Sequence, residues 1–159
     1  MKTYRDDLVE HVQEELALLG HSLDIDFDLD EEGACFFEHD EGWRLAVMLA
    51  GEDQVVAVVS VLSQIEAPSA ETLANTLIAF NWLGGRTDGA TLSWNPMSRS
   101  FVLWRSLDAE ALTAAGLNAT LLRLIASAAE LQPALQAQLV ATDAPADAAG
   151  PAPAFNQRV

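Results

Sequence analysis

The run Gln54-Val55-Val56-Ala57-Val58-Val59-Ser60-Val61-Leu62 constrains this chain more than any other segment. It is rich in β-branched residues and apolar at odd and even positions alike, so simple alternation cannot leave one face in water. The pattern predicts a central strand, covered on both faces. Turn-formers precede it at Gly51-Glu52-Asp53, and before them Trp43–Leu49 sets Trp43, Leu45, Val47 and Leu49 on one face of a second strand. Asp40-Glu41-Gly42 separates that strand from a third candidate, Ala34–His39. Connections this short fit antiparallel hairpins.

Helical spacing brackets the strands. Tyr4, Leu8, Val12, Leu16 and Leu19 recur on one face, with acidic and amide residues opposite, Thr3 as a cap and Gly20 as a terminator. Pro68 and Ser69 open a second helix, which is expected to run to Leu83 and stop at Gly84-Gly85. Its apolar arc is wide, because Leu73, Leu77 and Phe80 lie on one side and Ala74, Ile78 and Trp82 are rotated from them. Such a helix requires cover on two sides, and in a chain of 159 residues the second cover is expected to be another subunit. A hairpin follows, Ala90–Asn95 and Arg99–Arg105, and then a helical region capped by Asp108 and reaching Leu139, with Gly116 and Pro133 as candidate interruptions. The order α-β-β-β-α-β-β-α predicts an α+β sandwich on a twisted antiparallel sheet, with one domain over residues 1–139. Residues 140–159, rich in alanine and proline and without periodicity, read as a disordered tail.

Charge and chemistry narrow the function by exclusion. With 24 acidic residues against 8 basic ones, for a formal charge of −16, the surface repels phosphate, so nucleic acid and anionic membranes are not expected partners. The apolar stretches are far shorter than the roughly 20 residues of a membrane span. The acidic N-terminus lacks the apolar core of a signal peptide, and Cys35 is the only cysteine, which together point to the cytoplasm. Within the acidic run, Asp28, Asp30, Glu32 and Gly33 fit the early places of a calcium loop, but the twelfth place holds His39 instead of a bidentate glutamate. His11, His21 and His39 are dispersed and show no ligand spacing. There is no nucleophile elbow, phosphate loop or dinucleotide fingerprint. No catalytic residue, metal or cofactor is expected.

One stretch carries a family likeness. LANTLIAFNWLGGRTDGATLSWNP resembles the second helix and following hairpin of class I type III secretion chaperones, the Tir-chaperone or CesT family, with Asn81, Leu83, Thr87, Gly89, Ala90 and Leu92 in register. Upstream, LDIDFDLDEEGACFFEHDEGWRLAVML is similar to the family's acidic–apolar stretch, glycine turn and cysteine-containing strand. Leu107-Asp108 and Ala129-Glu130 sit where the family begins and nears the end of its last helix. Phe80 in place of a small residue, Leu131 in place of an aromatic, and Gly116 depart from the pattern.

The resemblance implies a homodimer in the bacterial cytoplasm that binds the N-terminal segment of a secreted effector, keeps it extended and catalyses nothing. Components of the secretion apparatus are further candidate partners. It places the second helix and the next strand at the dimer interface, which marks Leu77, Ile78, Phe80, Trp82, Leu92 and Trp94. Candidate groove residues for the effector are Tyr4, Leu8, Val12, Phe36, Phe37, Trp43, Phe101 and Trp104, against the competing reading of each as ordinary core, which is the better one for most of the α-helical stripe. The alternative reading is a regulatory or ligand-binding module that reuses the same dimeric fold.

Overall fold

The computed structural model describes residues 4–143. Its elements follow in the order α1 (Tyr4–Leu23), β1 (Ala34–Glu38), β2 (Arg44–Ala50), β3 (Gln54–Leu62), α2 (Ala70–Asn81), β4 (Thr91–Asn95), β5 (Ser100–Asp108) and α3 (Ala114–Asp143). The five strands form one antiparallel sheet in the order β1-β2-β3-β5-β4, with β3 at its centre. The expected α+β sandwich is therefore present, strand for strand.

Alternation along β3 separates two environments. Val55, Ala57, Val59 and Val61 are buried, and they join Leu45 and Val47 of β2 and Phe101 and Leu103 of β5 in the core. The α1 stripe Leu8, Val12, Leu16 and Leu19 closes over that face, together with Leu117, Leu121, Leu124, Leu131 and Leu135 of α3. Val56, Val58 and Ser60 point the other way and are only half-buried. The strand expected to be covered on both faces is thus covered by its own helices on one face only.

Several boundaries differ from expectation for local reasons. Gly20 does not end α1, which continues to Leu23. The glycine is there because the chain folds back against the helix: the Ile25 amide donates to the Gly20 carbonyl, and a Cβ on Gly20 would lie 2.2 Å from the Ile25 oxygen. Thr3, the expected cap, lies outside the described residues. Ser69 does cap α2, its hydroxyl accepting from the Thr72 amide at 3.2 Å, but the helix gives way to a 3-10 turn at Trp82–Gly84. Asp108 belongs to β5, and its carboxylate accepts from the amides of Glu110 and Ala111 in the turn that follows. Thr113 starts α3 instead, its hydroxyl accepting from the Gly116 amide at 3.1 Å. Gly116 then falls in the first turn, and α3 runs unbroken through Pro133. It also passes Leu139, so residues 140–143 of the expected tail are helical. The rest of that tail lies outside the described residues.

Thr76 of α2 is fully buried, and its hydroxyl has no hydrogen-bond partner among the described residues. Burying an unpaired polar group costs about 1–3 kcal/mol, whereas valine has the same shape without the penalty. Thr76→Val should raise stability by roughly 1 kcal/mol, seen as a higher midpoint at unchanged slope in urea unfolding. A lower midpoint would mean that the hydroxyl has a partner after all.

Candidate functional site: an open sheet face

The register sets which side chains share the uncovered face. Phe36, Ala46, Val58, Trp104 and Thr91 stand in one row across all five strands. Met48 and Val56 form the next row, and Ser60, Val102 and Ser93 flank it on the other side. Phe36, Met48, Val56, Val58, Val102 and Trp104 stand outside the hydrophobic core cluster, while Ala46 is buried between the strands. Phe36 is 70% exposed, while Met48, Val58, Val102 and Trp104 are half-buried among themselves. The Trp104 indole donates to the Ser93 hydroxyl at 2.9 Å, which fixes the ring along the sheet. A trough of about 780 Å³ runs over this face, lined by residues of the strands, the β4–β5 turn and the start of the β3–α2 connection, with Met97 of the β4–β5 turn at its rim. Apolar side chains that the subunit's own helices leave uncovered favour burial against a partner, since water over them gains by being displaced.

Of the eight candidate groove residues, Phe36 and Trp104 are brought together on this face. Three others must be corrected. Leu8, Val12 and Phe101 are buried in the core at 7%, 0% and 0% exposure, where no partner can reach them without opening the subunit. Phe37 and Trp43 pack against the covered side, Phe37 with its ring 4.7 Å from that of Phe27. Tyr4 is exposed but lies apart, its hydroxyl donating to the Glu110 carboxylate, a bond that raises the phenol pKa above its ordinary value. Sequence reasoning missed Ala46, Met48, Val56, Val58 and Val102. Their signal was the two-sided apolar character of β3 and its neighbours.

The candidate interface residues also divide. Phe80 and Leu92 are core, at 2% and 1% exposure, so they cannot touch a second subunit directly. Arg86 lies over the Phe80 ring at 5.2 Å, closing that side. Leu77 and Trp94 are half-buried against the core, with Trp94 stacked in tilted fashion 5.0 Å from Phe101. Ile78 and Trp82 remain at the surface, 64% and 71% exposed. Asn81 has a role that composition did not disclose. Its side chain accepts from the Leu92 amide at 2.8 Å and donates to the Leu92 carbonyl at 2.9 Å. It thereby acts as a short substitute strand, satisfying the outer edge of β4 and fixing α2 against it.

The acidic run is used structurally. The Asp30 carboxylate accepts from the amides of Glu32 and Ala34, which shapes the turn into β1. Gln13 of α1 ties the preceding segment down, donating to the Phe27 carbonyl and the Asp28 carboxylate and accepting from the Leu29 amide. Among the described residues no three histidine, cysteine or acidic side chains converge as a metal site, and no helix is long and apolar enough to cross a membrane. Burial pushes the Cys35 thiol pKa above its ordinary value, so the thiol is held in its unreactive form. A second open groove, about 750 Å³, lies between Leu62–Thr72 and the end of α3 around Leu139.

The sequence profile of the Tir chaperone protein (CesT) family matches residues 15–132. Among solved structures, the chain is similar to one in the ExsC–ExsE complex, with 23% identity over 80% of this chain and 96% of that one and a TM-score of 0.68. It is similar to a chain of the HopA1–SchA chaperone–effector complex, with 16% identity, 83% and 98% coverage and a TM-score of 0.59. The Yersinia pestis type III secretion chaperone SycH, solved with a stable fragment of YscM2, gives 17% identity, 81% and 99% coverage and a TM-score of 0.54. At these identities the likeness is one of fold. No curated protein sequence matches the chain.

Proposed function

The chain belongs to the Tir chaperone protein (CesT) family, and from that membership we propose that it is a type III secretion chaperone, binding the N-terminal segment of a cognate effector in the bacterial cytoplasm and holding it extended for export. The observation that carries this reading is the open apolar face, because a chaperone of this kind needs a surface that its own core leaves free. An extended segment can lie across the row Phe36–Ala46–Val58–Trp104 or add to the sheet at β1, which stands at its edge. Binding the extended form in preference to the folded one draws the segment away from its globular state by mass action, with no need for ATP. No chemical step is involved, and the chain is not an enzyme. The working form is a homodimer joined through the outer side of α2.

Co-expression with the neighbouring open reading frames should yield a complex with a secreted protein that survives purification. Hydrogen exchange should then show the bound segment protected at its backbone over a short stretch and unprotected on either side. A wild-type protein that retains no secreted partner, or one that retains only a fully folded domain, would remove the chaperone reading.

A further inference from the structure

We propose that the trough on the open sheet face takes a stretch of effector whose apolar side chains are flanked by carboxylates, held by Arg44 and Arg99. The proposal rests on the chaperone reading and adds the chemistry of the segment it would bind. Net charge alone argues the reverse, since a chain at −16 should attract a basic partner. The trough contradicts that expectation locally. Acidic residues outnumber basic ones 24 to 8 in the chain, yet the trough is lined by two arginines and no aspartate or glutamate.

Both guanidinium groups are available. Neither Arg44 nor Arg99 makes an ion pair among the described residues, and Glu38, directly across from Arg44 in the β1–β2 register, does not form one with it. The backbone that carries them is held. Arg44 opens β2, and Arg99 sits at a left-handed φ of 48° in the β4–β5 turn. The Asn95 carboxamide oxygen accepts from the amides of Met97 and Ser98, and the Arg99 carbonyl accepts from the Ile65 amide at 3.2 Å. Guanidinium forks match carboxylates bidentately, and the apolar floor of Ala46, Met48 and Val58 strengthens such a pair once water is displaced.

The test is to pan a displayed library of short random peptides on the full chain and on its Arg44→Glu, Arg99→Glu double variant. Wild type should enrich apolar sequences flanked by aspartate or glutamate. A synthetic peptide of that sequence should lose about tenfold in affinity on the double variant and recover when its acids become lysines. Glu38→Gln, which removes a carboxylate that would repel the peptide's acids beside Arg44, should tighten the acidic peptide. Enrichment of lysine- or arginine-flanked peptides, or acidic binders indifferent to the double variant, would overturn the proposal. So would a change of mass on light scattering for the double variant, which would mean that a second copy covers the trough. A chain that co-purifies with its effector but enriches no short peptide would also defeat the trough while leaving the chaperone reading intact. Failure of co-purification would defeat that reading itself.

Discussion

Phe101→Ala is expected to destabilise the subunit by about 3–5 kcal/mol, whereas Phe36→Ala should change stability by no more than about 0.5 kcal/mol. The two residues look alike in sequence, each an aromatic in a strand. Phe101 is fully buried, paired in register with Leu62 and Trp94 and stacked on the Trp94 ring. Truncation there loses the transfer energy of the ring and leaves a cavity that the flanking strands cannot close. Phe36 is 70% exposed and has few contacts to lose in the free chain. Its truncation should show in binding instead, at roughly 1–3 kcal/mol, or about ten- to a hundredfold in Kd for the effector segment. Urea unfolding beside a binding titration separates the two effects. A Phe101→Ala protein that keeps its unfolding midpoint but loses its partner would return Phe101 to the groove. A Phe36→Ala protein that binds as wild type would take the open face out of the site.

The contrast between these residues also marks how far the sequence could be read. The succession of elements and the helix stripes were legible because burial follows a period of two or of 3.6, and the spacing along α1 set Leu8, Val12, Leu16 and Leu19 on one face, which the structure buries, the groove candidates Leu8 and Val12 included. Periodicity reports that a side chain avoids water, but not whether its own chain or another covers it. Val58 and Val59 are both apolar, yet one is half-buried on the open face and the other lies under the helices. Phe36 and Phe37 must point to opposite faces, and nothing in their order says which faces out. The same limit applies to the acceptors at element ends. Asp108 is a good cap in isolation, but β5 extends to it because Val55 and Gln54 of β3 still offer pairing partners there, and the cap role moves to Thr113. A glycine after a helical stripe usually marks a stop, and Gly20 does not. Its real constraint, the Ile25 carbonyl pressed against it, depends on a return of the chain that local sequence does not encode.

Replacing Ile78 and Trp82 together with glutamate should convert a dimer into a folded monomer. Both side chains stand on the outer side of α2 and the turn that follows it, 64% and 71% exposed, while Leu73, Leu77 and Phe80 face inward. The wide apolar arc of this helix calls for a second cover, and inside the subunit Ile78 and Trp82 have none. A two-fold contact would set this pair against the same pair of the other copy, burying four large side chains. At about 1.5–3 kcal/mol each, these supply roughly 6–12 kcal/mol of gross burial, against an association cost of about 4–15 kcal/mol. The two ranges overlap, so the half-buried Leu77 and Trp94 beside the pair matter for the further apolar area they supply. Glutamates at both positions would remove the gross term and bring four carboxylates together on an already acidic molecule. Because the native side chains are exposed in the subunit, the substitution should leave circular dichroism unchanged while light scattering falls from twice 17.1 kDa to that value. Retention of the larger mass would remove α2 from the interface. Loss of the circular dichroism signal would show that the subunit does not stand without its partner, making assembly and folding one event.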